Sequence, residues 1–295
     1  MNKDFKFAAI DIGSNALRFA YTDQKSKIYG AKKMRIPLRL GQDVFQLNRV
    51  KEKNFKYCQF IFRELSQFIK NENIETLKVY ATSALRDADN ALDLIETISK
   101  ESKINIEVID GYKEAKLIQN LVEYEFSLKK RNYLLIDIGG GSLELNLYIQ
   151  GKFTRSLSLD IGTVRMLNSK KSFEECLDDI KPSIKKFLGK ELDKDIEILG
   201  TGGNFRQIMK IFRSEKSVET FSGKTIKKLS KDIFNLPLNK RIDDFNLNPD
   251  RAKVISPALY IINFFLSNIK ASKVHCCRYS LVHAILLEII TEFEI

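Results

Sequence analysis

Histidine, paired cysteine and long apolar runs are scarce in this 295-residue chain, and each scarcity removes a class of function. Its two histidines, His275 and His283, both lie near the C-terminus, so a zinc site has few ligands to draw on. The four cysteines, Cys58, Cys176, Cys276 and Cys277, form no C-x-x-C pair, and vicinal cysteines rarely close a structural disulfide. No stretch approaches the length of a bilayer-spanning helix, and the opening MNKDFKFAAIDIG carries no apolar signal core. A reduced, soluble, cytoplasmic protein with no membrane partner is the expectation. Basic blocks are also missing. The longest cluster, Lys129-Lys130-Arg131, is too short for a nucleic-acid arm, so no nucleic-acid partner is expected.

What is present is enough to fold. The hydrophobic fraction is 44%, which excludes a disordered chain. The net charge is +11, from 49 basic against 38 acidic residues. That balance favours polyanionic partners such as phosphate-rich molecules. Because the lysines are spread along the chain, a merely solvated surface accounts for the same surplus equally well.

Residues 5–39 read as three strands: FKFAAIDI, LRFAYTD and a third from about Lys27 to Leu38. A helix over 51–71 follows, with Phe55, Cys58, Ile61, Phe62, Leu65, Phe68 and Ile69 on one face. The strand LKVYA leads into TSALRDADN and a helix to Ile98, and INIEVID leads into a helix running to about Leu128. The pattern then restarts with NYLLIDIG, SLELNLYI and KFTRSLSL, a helix from Phe173 to Leu188, and IEIL before GTGGN. A polar segment over 214–250 precedes a helix over 254–266, the strand KVHCC and a last helix to about Phe293.

The restart is a repeat. AAIDIGSNALRF and LLIDIGGGSLEL both end a first strand on Asp-Ile-Gly, at Asp11 and Asp137. Later in each half a strand enters a Thr-headed loop, at Thr82 and Thr201. Alternating strands and helices predict an α/β chain of two related domains, 1–122 and 123–295, with the final helix able to pack back near a cleft.

The chemistry-bearing residues cluster in the repeated segments. In IDIGGGS, the backbone N–H groups of Gly139, Gly140 and Gly141 can form an anion-binding nest, with Ser142 as a further donor. Asp137 beside it suits Mg2+, which takes a few carboxylates plus phosphate oxygens. Asp11 is a second metal-side candidate, Ser14 and Asn15 offer turn donors to phosphate, and Arg18 follows on the second strand. Ser83 and Arg86 stand where a strand meets a helix N-terminus, a place that favours anions, or where Ser83 simply caps. Gly202 and Gly203 form either a phosphate or nucleoside loop or a tight strand–helix turn. Glu114, in the first turn of its helix, could be a base. By itself, a glutamate there more often offsets the helix dipole.

Taken in order, IDIGSNALR (10–18), ATSALRDADN (81–90), GYKEA (111–115), IDIGGGSLEL (136–145), SLDIGTVRM (158–166), LGTGGN (199–204) and LNPDRAKVISPA (247–258) resemble the Ppx/GppA phosphatase family. The resemblance implies a duplicated actin-like (ribonuclease H-like) fold, with two domains around a central cleft. It implies release of terminal orthophosphate from inorganic polyphosphate or guanosine pentaphosphate, the stringent-response alarmone. Glu114 would activate water, Asp137 and Glu144 would hold Mg2+ or Mn2+ in its place, and Asn15, Arg18, Ser83, Arg86 and 139–142 would contact phosphate. Polyphosphate or guanosine penta- or tetraphosphate is the expected partner, with a homodimer left open.

Three departures qualify it: Lys113 stands where the family has an acid, Lys253 follows Arg251-Ala252 in place of aspartate, and CRYSLVHA (277–284) replaces an Arg-Glu-Gly run. The family's longer members also carry a C-terminal helical extension, so a two-domain form is implied. The alternatives are an actin-fold ATP-dependent kinase and a non-catalytic alarmone or polyphosphate sensor.

Overall fold

The most apolar stretches become the sheet centres. In the structure, a computed structural model that describes residues 5–214, 216, 218–269 and 271–293, strand β1 (Lys6–Ile12) has Phe7 through Ile12 buried. A strand covered on both faces reads as a continuous apolar run rather than an alternating one. β1 forms a hairpin with β2 (Ala16–Asp23), which pairs with β3 (Lys32–Pro37). Helices α1 (Leu40–Leu47) and α2 (Glu52–Asn71) follow, and α2 buries Cys58, Ile61, Phe62 and Leu65 along one stripe. β4 (Thr76–Ala81), α3 (Ser83–Asp87), α4 (Ala91–Ser102), β5 (Glu107–Val108) and α5 (Gly111–Glu125) complete the first run.

The second run repeats the plan. β6 (Asn132–Ile138), β7 (Leu143–Ile149) and β8 (Lys152–Leu159) form an antiparallel meander. Then come α6 (Thr163–Asn168), α7 (Phe173–Leu188), β9 (Ile196–Thr201), α8 (Gly202–Ile211) and β10 (Val218–Ser222). They are followed by α9 (Gly223–Phe234), α10 (Leu238–Phe245), α11 (Pro249–Asn268), β11 (Lys273–Cys277) and α12 (Leu281–Glu292). Sheet order is β3-β2-β1-β4-β5 in one half and β10-β11-β9-β6-β7-β8 in the other. In each, an antiparallel meander lies to one side of its first strand and parallel strands follow on the other, with β10 added antiparallel at the edge of the second sheet. This is the duplicated actin-like arrangement.

Two compact units result: Met1–Leu121 with Leu281–Ile295, and Val122–Ser280. The last helix, read from sequence within 123–295, therefore belongs to the first unit. Its physical reason is burial: α12 is apolar on nearly all sides and packs on β1, β2 and β4. Polar contacts fix it there. Glu288 accepts from Lys78 Nζ at 2.9 Å and from the Tyr80 hydroxyl at 2.6 Å. Residues 1–4 and 294–295, inside the expected domain bounds, lie outside the described residues.

Other differences have equally local causes. The third strand starts at Lys32 because residues 24–30 turn, with Lys27 at φ 46°. The polar segment over 214–250 contains β10, α9 and α10. In α9, Ile226, Leu229 and Ile233 are buried on one face while the lysines between them look outward, so average polarity hid the stripe. Ser222 caps α9 by accepting from Thr225 N, and Ser172 with Glu175 forms a capping box on α7. All four cysteines are free.

Leu286 is fully buried on α12, so Leu286→Ala should cost about 2–5 kcal/mol of stability. A fall in the denaturant midpoint checks it, and an unchanged midpoint would mean that α12 is dispensable to the first unit.

Candidate active site

In each unit the first strand delivers an aspartate to its C-terminal end, and the hairpin register decides what faces it. In the first unit Asp11 lies opposite Arg18, and Arg18 Nη1 donates to Asp11 Oδ2 at 2.7 Å. Asp11, the second metal-side candidate, thus already holds a cation. The turn between them is closed by Gly13 N donating to Ala16 O at 3.2 Å. Its outer carbonyls are also taken, since Gly41 N donates to Ser14 O and Arg39 N to Asn15 O. The Ser14 hydroxyl, by contrast, is buried and has no hydrogen-bond partner among the described residues.

The Thr82 loop is tied to the same strand end, with Thr82 N donating to Ile12 O at 3.1 Å. It brings buried Ser83 and half-buried Arg86 into α3. Arg86 Nη1 donates to Ile109 O at 2.8 Å and to Glu114 Oε2 at 3.0 Å. Glu114 itself is buried in the first turn of α5, whose start Asp110 caps by accepting from Lys113 N at 2.7 Å. Lys113, the basic replacement beside it, directs its charge to Glu107 at 2.6 Å and lies 4.4 Å over the Tyr80 ring. It therefore adds no charge to the Glu114–Arg86 pair by direct contact.

In the second unit Asp137 lies opposite Glu144 on β7 and opposite Thr201 on β9. Both carboxylates are buried, and Glu144 Oε1 accepts from Ser158 at 3.2 Å. The glycine loop after Asp137 is strapped by α6. Gly139 O accepts from Thr163 N, Gly140 O from Val164 N and Arg165 N, and Gly141 O from Arg165 Nε at 2.8 Å. In a trans peptide the N–H points opposite to the preceding carbonyl. The N–H groups of Gly140, Gly141 and Ser142 therefore turn away from α6. This strap requires Gly162, because a Cβ there would lie 2.5 Å from Gly140 C.

The loop at α8 closes on the same aspartate. Gly202 has φ +88°, and a Cβ on it would fall 2.2 Å from Asp137 Oδ1, so only glycine fits on both counts. Asn204 Nδ2 donates to Ile138 O at 2.9 Å, while Asn204 Oδ1 and Thr201 Oγ1 are buried without hydrogen-bond partners among the described residues. Arg251 lies against Gly203, where a Cβ would sit 2.8 Å from its guanidinium. The CRYS segment serves this loop too: Gly202 N donates to Tyr279 O at 3.2 Å, and burial pushes the neighbouring Cys277 thiol up to about 12.

Of the residues singled out from sequence, Asp11, Ser14, Asn15 and Arg18 thus share one turn, Ser83, Arg86 and Glu114 a neighbouring cluster, and Asp137, Gly139–Ser142, Glu144, Gly202 and Gly203 a third in the second unit. Sequence reasoning missed Thr163 and Arg165 as the strap and Thr201 and Asn204 as unsatisfied oxygens. The Gly162-Thr163 pair in SLDIGTVRM was the available signal.

A family model for the Ppx/GppA phosphatase family matches residues 21–293. The chain belongs to that family. Within it, the chain is 30% identical to a bifunctional 3-dehydroquinate synthase/phosphatase of Fusobacterium nucleatum, covering 89% of this chain and 43% of that protein. It is 25% identical to a guanosine-5'-triphosphate,3'-diphosphate pyrophosphatase of Aliivibrio fischeri, covering 87% and 53%. Those first relatives are thus spanned over only about half their length. Among solved structures, a Cytophaga hutchinsonii exopolyphosphatase superposes with TM-score 0.86 at 20% identity, covering 97% of this chain and 98% of the other. A family member from Aquifex aeolicus gives 0.78 at 23%, covering 98% and 99%. These likenesses establish the fold.

Arg86 pairs with the buried Glu114 carboxylate at 3.0 Å, so Arg86→Ala should destabilise by about 1–3 kcal/mol. Glu114→Gln in the same chain should restore part of that loss. A loss in the double variant equal to the sum of the two single-variant losses would show that the pair carries no coupling.

Proposed function

We propose that this chain is a phosphohydrolase that releases terminal orthophosphate from inorganic polyphosphate or guanosine pentaphosphate. The observation that carries this reading is the asymmetry of the duplicated hairpin. Where the first unit sets Arg18 against Asp11, the second sets Glu144 against Asp137, beside a loop whose amides turn away from α6. Two carboxylates placed opposite each other offer oxygen ligands of the kind a hard cation takes.

The donor set suits Mg2+ or Mn2+. Asp137 and Glu144 offer oxygen only, and the orphaned oxygens of Thr201 and Asn204 lie on the loop beside them. Among the described residues no group of three or more His, Cys, Asp or Glu forms a metal cluster. That count fits a magnesium site, which typically uses one or two carboxylates and fills the rest with water and phosphate oxygens. When bound, the ion would offset the negative charge that develops on the phosphoryl oxygens.

The protein groups have separate tasks. The N–H groups of Gly140, Gly141 and Ser142 would hold phosphate oxygens. Ser14 Oγ offers a buried hydroxyl with no competing partner, which suits a further phosphate contact. Glu114 would orient a water and take its proton as the water oxygen bonds to the terminal phosphorus and the bridging P–O bond breaks. Held by Arg86, its carboxylate has a fixed direction.

A second reading, a polyphosphate or alarmone sensor without turnover, has one observation in its favour. Arg18 and Arg86, both counted as phosphate contacts, are already engaged by Asp11 and Glu114. Orthophosphate release separates the two readings. Purified chain given polyphosphate, guanosine pentaphosphate and ATP in turn, with and without Mg2+, should release phosphate from at least one of the first two. Glu114→Gln should lower that rate by about two to four orders of magnitude while binding persists. Asp137→Asn should raise the Mg2+ concentration needed. Binding without release would establish the sensor, and release that survives a chelator would exclude the metal.

A further inference from the structure

One cavity in the second unit lies at the other end of its sheet from Asp137. Asn132 opens β6, Lys273 opens β11 and Glu197 is the second residue of β9, and all three line it. Asp137 and Thr201 stand at the far ends of the same parallel strands. At about 3.3 Å per residue, Asn132 and Asp137 are separated by about 17 Å. The cavity holds about 610 Å3, the size of a small-molecule site.

Its walls are not the apolar kind that most such sites present. Lys130, Arg131, Lys194 and Lys273 face Asp195 and Glu197, with Ile149 as the apolar contribution. Two of the cations are held in place from below. Buried Glu197 accepts from Arg131 Nη1 at 2.8 Å and from Lys273 Nζ at 3.2 Å through one oxygen. Its other oxygen lies 2.7 Å from His275 Nε2, and His275 Nδ1 lies 2.8 Å from Thr220 Oγ1. Burial by itself would raise the Glu197 carboxyl, but the hydrogen bonds from His275 and Lys273 outweigh it and hold the group below the ordinary glutamate range. The carboxylate is therefore a fixed anchor with one charge for two cations.

The charge balance selects the occupant. Lys130 is exposed, and Lys194 pairs with Glu191. Cations thus exceed anions around the hollow, and a second cation would be repelled while an uncharged apolar molecule would find too little apolar wall. An anion of several charges can draw charge-assisted contacts from more than one of these Lys and Arg side chains.

We propose that this cavity is a second anion site, separate from the Asp137 loop, which takes a chain of linked phosphates, inorganic or nucleoside-bound. The site does not depend on the hydrolase reading.

The test follows amide hydrogen exchange of the full chain alone, with inorganic tripolyphosphate and with GTP, beside calorimetric titration. Exchange should slow at residues 130–132, 149–150 and 194–197 when tripolyphosphate is added. In Lys130→Ala/Lys194→Ala that slowing should vanish and this site's dissociation constant should rise about tenfold or more. Both side chains are exposed and neither touches Glu197, so circular dichroism should match the parent. Lys130→Ala alone serves if the double variant does not fold. Slowing with both probes assigns the site to the phosphate chain itself, and slowing with GTP alone assigns it to the nucleoside-bound form. No slowing at these segments with either probe, or slowing that persists unchanged in the variant, overturns the proposal.

Discussion

Hairpin register is the constraint on which both candidate clusters rest. In each unit the residue seven positions after the aspartate comes to lie directly opposite it, at the short separation of a cross-strand pair. That one residue sets the local charge. Arg18 turns Asp11 into half of an ion pair, whereas Glu144 sets a second carboxylate opposite Asp137. A slip of one residue would send the partner to the opposite face of the sheet and undo both. The register is secured because β1 and β6 are central strands, buried on both faces, whose apolar side chains have no other place to go.

Around Asp137 the backbone comes closer than any side chain would permit. Gly162 meets Gly140 and Gly202 meets Asp137, each leaving no room for a Cβ. The α6 strap uses three carbonyls of the glycine loop, and in doing so aims the following amides the other way. The loop's donors are thereby oriented before any ligand arrives, which spares an anion the cost of ordering them. Asn204 adds a tether from α8 to the end of β6, so strand, loop and helix hold one another.

The surplus of positive charge has a structure as well. Many lysines are indeed spread over solvated faces, as in α9. At the strand starts of the second sheet, however, basic side chains converge on one hollow, and a buried glutamate fixes two of them. The arrangement shapes the electrostatic surface at that end of the sheet.

Much of this was legible in the one-dimensional pattern. The repeat of Asp-Ile-Gly after an apolar run announced two related α/β units, because central strands must be apolar and the turn after them needs glycine. The same segments marked Asp137 and the 139–142 loop as candidates, whereas Glu114 was singled out by the family resemblance. Three things depended on tertiary contact. The last helix belongs to the first unit because its all-round apolar surface covers β1, β2 and β4, and no sequence interval encodes that return. The helices of the 214–250 segment were hidden because lysines dilute a narrow buried stripe. The pairing of Arg86 with Glu114, and of Arg131 and Lys273 with Glu197, joins residues 28 to 76 positions apart. Sequence determined which charges exist and which face of each strand they occupy, since those follow from local period. Only the folded chain decided which charges meet, because that depends on the packing of elements distant in sequence.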